Sequence, residues 1–487
     1  MSHTVRRLVH DMRSRDARAV AGAIQGADPR FMREHNRLLV LNCVRTHEPI
    51  SRVAISRLTG LSRTAISTIM DVLLKEGLVR EGETQSAAPV GGRRAILLHF
   101  TAGAGYILGV DMGRTHLILL LTDLAATIRA RYSGPFDVNQ GPAACLPQLA
   151  ATMRQFIDQH GVTWSQVVGV GIGIPGPFDA AHHMLAAAPP RMPGWNGVDV
   201  RDILGRELGV PIYADNDANM GALGESRYGA ARGVADLAYI KIGTGIGAGL
   251  VIGGQLYRGS RGSAGEIGHV TIDPEGPACA CGNRGCLEAM AGAEAIVTEV
   301  RQRCSDEDGG APPAERDATR DASLDVADVV RAALEGDGPS RQAIERAAER
   351  IGVVLAGLIN LTNPSLILVD GGVARAGNLL LDPIRREVAA RSFPIASDQT
   401  RISTGALGDN AIALGSVASV LDAAFGSAVV ASANGERHTP ATAAHRDAIH
   451  DQIAARSERR SAPAARDPPG EAPLAPPGAS AVSRSDG

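Results

Sequence analysis

The spacing of apolar residues changes character along the chain, and each change marks a segment. Residues 1–30 are rich in arginine and alanine with weak helical periodicity and read as a leader. From Phe31 the pattern tightens. The run 36–46, N-R-L-L-V-L-N-C-V-R-T, carries apolar residues at helical spacing until Pro49-Ile50 breaks it. Ser51 is placed to N-cap a helix reaching about Leu58, and Thr59-Gly60-Leu61 makes a short turn. Ser62 caps a third helix over 63–76, which Gly77 stops. Residues 78–80 and 95–98 then read as strands around a polar loop at 82–94. Two short helices joined by a glycine turn and followed by a wing predict a winged helix-turn-helix domain over 31–100.

From Gly105 apolar runs of strand length alternate with helical stretches, which predicts an α/β body over 103–424. Strands are expected at 106–110, 116–121, 168–174, 237–242, 248–252 and 366–369. Helices are expected at 198–208, 324–334, 340–361 and 411–421. The body divides into a first lobe, about 103–225 plus 409–424, and a second, about 226–408. Residues 305–322 read as a polar insertion, and 425–487, rich in Ala, Pro, Ser and Arg, as a disordered tail.

The helix-turn-helix order gives the head its chemistry. Ser62, Arg63, Thr64 and Ser67 open the recognition helix, where side chains reach base edges in a major groove. Arg93 and Arg94 in the wing would meet phosphates or the minor groove. Residues 31–98 hold ten Lys/Arg against six Asp/Glu, whereas the whole chain is at −3, so any basic surface is local.

Three of the six cysteines, Cys279, Cys281 and Cys286, fall within eight positions, ten residues after His269. Three thiolates and an imidazole are the tetrahedral set a structural Zn²⁺ prefers. Gly282 and Gly285 let the chain turn Cys286 back toward the same centre. A redox dithiol or plain burial would need neither the glycines nor the histidine.

Three glycine turns end strands: Asp111-Met112-Gly113-Arg114-Thr115, then Gly243-Thr244-Gly245-Ile246-Gly247, then Asp370-Gly371-Gly372. A carboxylate beside such a turn can hold a metal-bound phosphate, and three together point to a nucleotide (ATP/Mg²⁺) cleft between duplicated lobes. Asn216-Asp217 sit past another strand end. There a carboxylate can act as general base on a sugar hydroxyl while the amide holds a second hydroxyl. An N-cap role for Asp217 is the competing reading.

The run E-P-I-S-R-V-A-I-S-R-L-T-G-L-S-R-T-A-I-S, with E-G-L-V-R-E and G-G-R-R-A-I-L-L after it, resembles the ROK family of repressors and sugar kinases. It is similar to that family's N-acetylglucosamine- and glucose-responsive repressors, and the resemblance extends from about Arg33 to about Leu421. It implies a two-lobed, actin-like ATPase fold. It further implies that Asn216 and Asp217 are sugar ligand and catalytic base, and that Glu266, His269 and Glu288 complete the sugar site, His269 being shared with zinc. Kinases of the family usually read D-x-G-G-T, often followed by lysine. Here Arg114 replaces the second glycine and His116 the lysine, while Arg191 stands where asparagine is common. Arginine at Arg114 is a steric liability for ATP, and Arg191 could exclude a plain hexose or recruit an acidic sugar.

Length adds little beyond an expectation of roughly three domains. Of 49 basic residues only Lys75 and Lys241 are lysine, a bias that fits a GC-rich coding sequence. Few cysteines and no apolar run near a membrane span predict a soluble, cytoplasmic protein. The expected function is a sugar-responsive DNA-binding regulator, more a repressor than an enzyme. As a homodimer or larger homo-oligomer it would read palindromic operator DNA and bind a sugar or sugar phosphate. The alternatives are an ATP-dependent sugar kinase with a DNA-binding head and a zinc-dependent redox sensor.

Overall fold

Side-chain caps shape the head. In the computed structural model, which describes residues 29–84, 95–179, 184–185, 192–307 and 324–426, Ser51 Oγ accepts from Ala54 N at 3.3 Å and Ser62 Oγ from Ala65 N at 3.2 Å. These caps start α2 (Arg52–Thr59) and α3 (Arg63–Lys75), which pack on α1 (Pro29–His47). Leu41, Val44, Ile55, Ile66, Met70 and Leu73 fill the space between them. β1 (Ile50–Ser51), β2 (Val79–Thr84) and β3 (Ile96–Phe100) form an antiparallel sheet in the order β1-β3-β2. α1 starts earlier than periodicity suggests, and β2 runs into the segment expected to be loop. Nearly all of the leader, wing residues 85–94 with Arg93 and Arg94, Arg191, most of the polar insertion and nearly all of the tail lie outside the described residues.

The body has two five-stranded sheets. In the first, β4 (Tyr106–Met112), β5 (His116–Asp123) and β6 (Ile128–Pro135) are antiparallel, and β7 (Val167–Ile174) and β10 (Ile212–Asn216) extend β4 in parallel. Between them β8 (Phe178–Asp179) pairs with β9 (Met184–Leu185). In the second sheet β11 (Leu237–Ile242), β12 (Ile246–Ile252) and β13 (Gln255–Tyr257) are antiparallel, with β14 (Leu366–Asp370) and β15 (Arg401–Thr404) parallel to β11. Read from their third strand, both follow the same 3-2-1-4-5 order. The lobes are therefore copies of one topology, the arrangement expected of an actin-like ATPase body.

α4 (Pro142–Gln159) and α5 (Val200–Leu208) bury apolar faces against the first sheet. α6 (Asp217–Tyr228) follows β10 directly. α7 (Leu287–Ala291), α8 (Ala293–Glu307), α9 (Val326–Glu335), α10 (Gly338–Thr362) and α11 (Asn378–Arg391) pack on the second sheet, with short α12 (Pro394–Ser397) beside them. α13 (Ala411–Phe425) crosses α6 so closely that a Cβ on Gly415 would sit 1.7 Å from the Met220 carbonyl oxygen.

The end of α13 also joins the head. Val417, Val420, Leu421, Ala424 and Phe425 share one buried cluster with Val40, Leu41 and Leu98. Asn42 Nδ2 donates to the Phe425 carbonyl at 2.5 Å. The Arg45 guanidinium lies 5.4 Å from the Phe425 ring centroid. The head thus shares a core with the body instead of hanging from a linker.

Candidate functional site

The three glycine turns meet in one cavity of about 480 Å³ between the two sheets. Its lining includes Asp111 and Thr115, then Gly243, Thr244, Gly245 and Gly247, then Gly371 and Gly372. Asn216, Asp217, Glu266, His269 and Glu288 line the same cavity. Among the described residues singled out for this cleft only Gly113 is set back, with the His116 ring 2.2 Å from where its Cβ would be. Elements far apart in sequence thus bring the expected sugar wall and the phosphate turns together.

The strand-to-helix step at β10–α6 fixes Asn216 and Asp217. Asn216 is the N-cap: its Oδ1 accepts from Ala218 N at 2.9 Å and Asn219 N at 3.2 Å, and its Nδ2 donates to the Gly176 carbonyl at 2.9 Å. Asp217 is spared the capping role weighed for it and is the first helical residue. Its Oδ1 accepts from Ala218 N at 2.8 Å, and its Oδ2 receives Lys241 Nζ at 2.6 Å. Lys241 was not singled out as a site residue. Burial opposes its charge, yet Asp217, Asp111 and Asp370 together hold its pKa above the ordinary lysine value. Its signal in the sequence was its rarity, one of two lysines, placed two residues before Gly243.

The opposite wall depends on a loop that only glycine can build. Gly265, at φ +96°, carries no Cβ because one would fall 1.9 Å from the Ala248 carbonyl oxygen, so the loop lies flat on β12 and sets Glu266 in the cavity. Burial, then the charges of Asp217 and Glu288, push the Glu266 carboxyl up to about 7. Glu288, in the first turn of α7, accepts from Ile246 N at 2.9 Å.

His269 ends this loop at a thiol cluster. One ligand atom from each of His269, Cys279, Cys281 and Cys286 lies within 4.8 Å of every other. Cys279 Sγ is 3.7 Å from His269 Nδ1, and the Cys281 and Cys286 sulfurs are 3.7 Å apart. That separation is far beyond a disulfide bond. Gly285, at φ +60°, makes the return possible, since a Cβ there would fall 1.5 Å from the Asp273 carbonyl oxygen. Four donors of this kind, two of them buried cysteines, can hold a metal ion.

Residues 107–423 match the ROK family and residues 33–80 a winged helix-turn-helix DNA-binding domain. The chain belongs to the ROK family. A putative xylose repressor from Caldicellulosiruptor sp. (strain Rt8B.4) is 34% identical over 396 residues, covering 80% of this chain and 96% of that protein. A solved ROK family transcriptional regulator, a homolog of the E. coli MLC protein, superposes with a TM-score of 0.67 at 25% identity, covering 81% of this chain and 97% of that one. A ROK glucokinase from Streptomyces griseus, solved with glucose and AMPPNP, gives 0.56 at 30% identity, covering 64% of this chain and 98% of that one. The repressor-type relatives therefore match head and body together, and the kinase matches a share of the chain the size of the body.

The ROK body departs from the kinase pattern inside the cleft. Arg114 is half-buried and reaches toward the second turn, where a Cβ on Gly245 would lie 3.4 Å from its Nη2 and 2.7 Å from Glu288 Oε2. His116 Nε2 is 3.2 Å from Asp111 Oδ2. In the head, Ser62, Arg63, Thr64 and Ser67 are all exposed on the first two turns of α3. No helix among the described residues is long and apolar enough to cross a membrane.

Proposed function

We propose that this ROK protein is a sugar-responsive transcriptional repressor. The observation carrying the reading is that one compact unit holds an exposed recognition helix and, over a shared core, a cleft lined by Asn216, Asp217, Glu266, His269 and Glu288. Carboxylates and an amide at a cavity of sugar size suit hydroxyl groups, each able to donate and accept. Arg63, Thr64 and Ser67 would read base edges of operator DNA, with a homodimer matching a palindrome. Zinc is the ion assigned to His269, Cys279, Cys281 and Cys286, and the donor set fits it. When bound, zinc fixes the His269 ring and the loop that carries Glu266.

ATP–Mg²⁺ suits the cleft poorly. Arg114, within the first glycine turn, reaches toward the second, His116 engages Asp111, and Lys241 engages Asp217. The body-wide match to a glucokinase keeps sugar phosphorylation as the second reading. A coupled assay over hexoses, pentoses and amino sugars decides it: sustained turnover that Asp217→Asn abolishes would establish the enzyme.

The regulator reading is tested by selecting duplexes from a random pool and measuring release from the selected site by a sugar panel that includes xylose and glucose. An inverted repeat whose binding is weakened by at least one sugar is expected. No enriched sequence at low salt, or an affinity indifferent to every sugar, would overturn it.

A further inference from the structure

Lys241 lies among three carboxylates drawn from both lobes. On β11 it sits opposite Asp370 of β14 in the parallel register. Asp217 opens α6 and receives its ammonium at 2.6 Å, with the two side chains only 19% and 12% exposed. Asp111 is the next-to-last residue of β4 on the first lobe and adds its charge to the same ammonium. The other contacts leave these acids short of positive charge. Asp370 is met by the neutral Tyr239 hydroxyl at 2.8 Å and the Gly371 amide at 2.7 Å. One Asp111 oxygen faces His116, and the other is buried with no hydrogen-bond partner. Carboxylates gathered at phosphate turns ordinarily share a magnesium ion, whose charge offsets their repulsion. Here the compact cation among them is an amine.

The residue type supports that reading. Arginine supplies 47 of the 49 Lys and Arg side chains, so a lysine at this position runs against the habit of the chain. A guanidinium is a wide planar fork, whereas an ammonium is a point charge small enough to stand where a metal ion would.

We propose that Lys241 is a built-in substitute for a divalent cation. Its ammonium offsets the Asp111, Asp217 and Asp370 carboxylates, so that the cleft is complete without Mg²⁺. It also holds Asp217 as an ion pair, away from general-base work. The proposal deepens the sensor reading of the same cleft, but its test needs neither sugar nor DNA, so the two can fail separately.

The probe is magnesium alone, added to zinc-loaded full-length protein with sodium chloride as the ionic-strength control. The unsubstituted protein should show no magnesium-specific change in Tm up to about 10 mM. Lys241→Met should melt lower and recover about 2 °C with that magnesium, because the freed carboxylates now take the ion. Adding Asp217→Asn to Lys241→Met should raise Tm without magnesium and remove the magnesium response. If Lys241→Met does not fold, the double variant carries the test: its folding supports charge compensation, and its failure to fold overturns it. An equal magnesium shift in the unsubstituted protein, or a Lys241→Met protein indifferent to both magnesium and Asp217→Asn, would also overturn the proposal.

Discussion

Phe425→Ala should detach the reading head from the body without emptying the cleft. Phe425 is 1% exposed and closes α13 against the head. The Phe100 ring meets it edge-on at 6.2 Å and 86°, and Arg45 lies over it at 5.4 Å. Truncating a buried phenylalanine removes about 3–5 kcal/mol, and the edge contact and the cation are part of that sum. A head of roughly 70 residues is marginally stable alone, so a loss near 4 kcal/mol removes most of what holds it folded against the body. Calorimetry should show a low-temperature shoulder separating from the main transition. Operator affinity, read by fluorescence anisotropy, should fall more than tenfold, while the thermal shift produced by an active sugar persists. Phe425→Leu, which keeps most of the volume, should cost only about 1–2 kcal/mol. A single transition displaced by less than about 1 °C, with operator affinity unchanged, would refute the shared-core argument.

Two further expectations concern the effector wall. Cys286 is fully buried, so Cys286→Ser should lower zinc content, measured by elemental analysis, from about one ion per chain toward none, and the sugar response should weaken with it. The Glu266 carboxyl is raised from 4.5 to about 7 by burial and by Asp217 and Glu288. Its protonated form therefore favours the folded state fully below pH 4.5, and that contribution is lost as pH rises through 7. A sugar hydroxyl that donates to Glu266 is held more strongly by the ionised form, whose oxygens accept a charge-assisted hydrogen bond. Sugar affinity followed by calorimetric titration should therefore strengthen between about pH 6 and 8, and Glu266→Gln should flatten the profile.

Local signals carried the sequence reading further than long-range ones could. Ser51, Gly60 and Ser62 lie within twelve positions, and each acts on its own helix end, so caps and turn were visible without tertiary knowledge. The cysteine spacing is equally local, because Gly285 turns the chain back over a few residues. Phe425 was invisible for the opposite reason. Its partner Asn42 is 383 positions away, and the apolar pattern of α13 shows that it is buried but not against what. Lys241 pairs with Asp217 across 24 residues, and neither strand nor helix periodicity encodes that meeting. The Asn216-Asp217 pair shows a finer limit. Both side chains can cap a helix, and only the backbone at Asn216, which stays extended at φ −57° and ψ 143°, assigns the cap to the first and leaves the second to Lys241.

The same pair opens a route between cleft and head. α6 is 12 residues long, from Asp217 in the cavity to Tyr228, a span of about 18 Å. At that far end Arg227 pairs with Asp422 of α13 at 3.0 Å. Arg45 of α1 lies in the same electrostatic group, and burial, followed by Asp422, pushes the Tyr228 hydroxyl up to about 12. Midway, a Cβ on Gly224 would fall 2.1 Å from the Ala411 carbonyl, so the backbones of α6 and α13 touch. Helices packed backbone to backbone have no side-chain layer to absorb a small shift, and close-packed interiors transmit displacement instead of damping it. In the regulator reading, a sugar that drew Asn216 and Asp217 toward Glu266 and Glu288 would move α6 and α13 together. That displacement would reach the place where Arg45 and Phe425 seat the head. In the regulator reading, the helix that presents hydroxyl-binding groups to the effector is thus also the strut under the DNA-reading domain, and no separate relay is required.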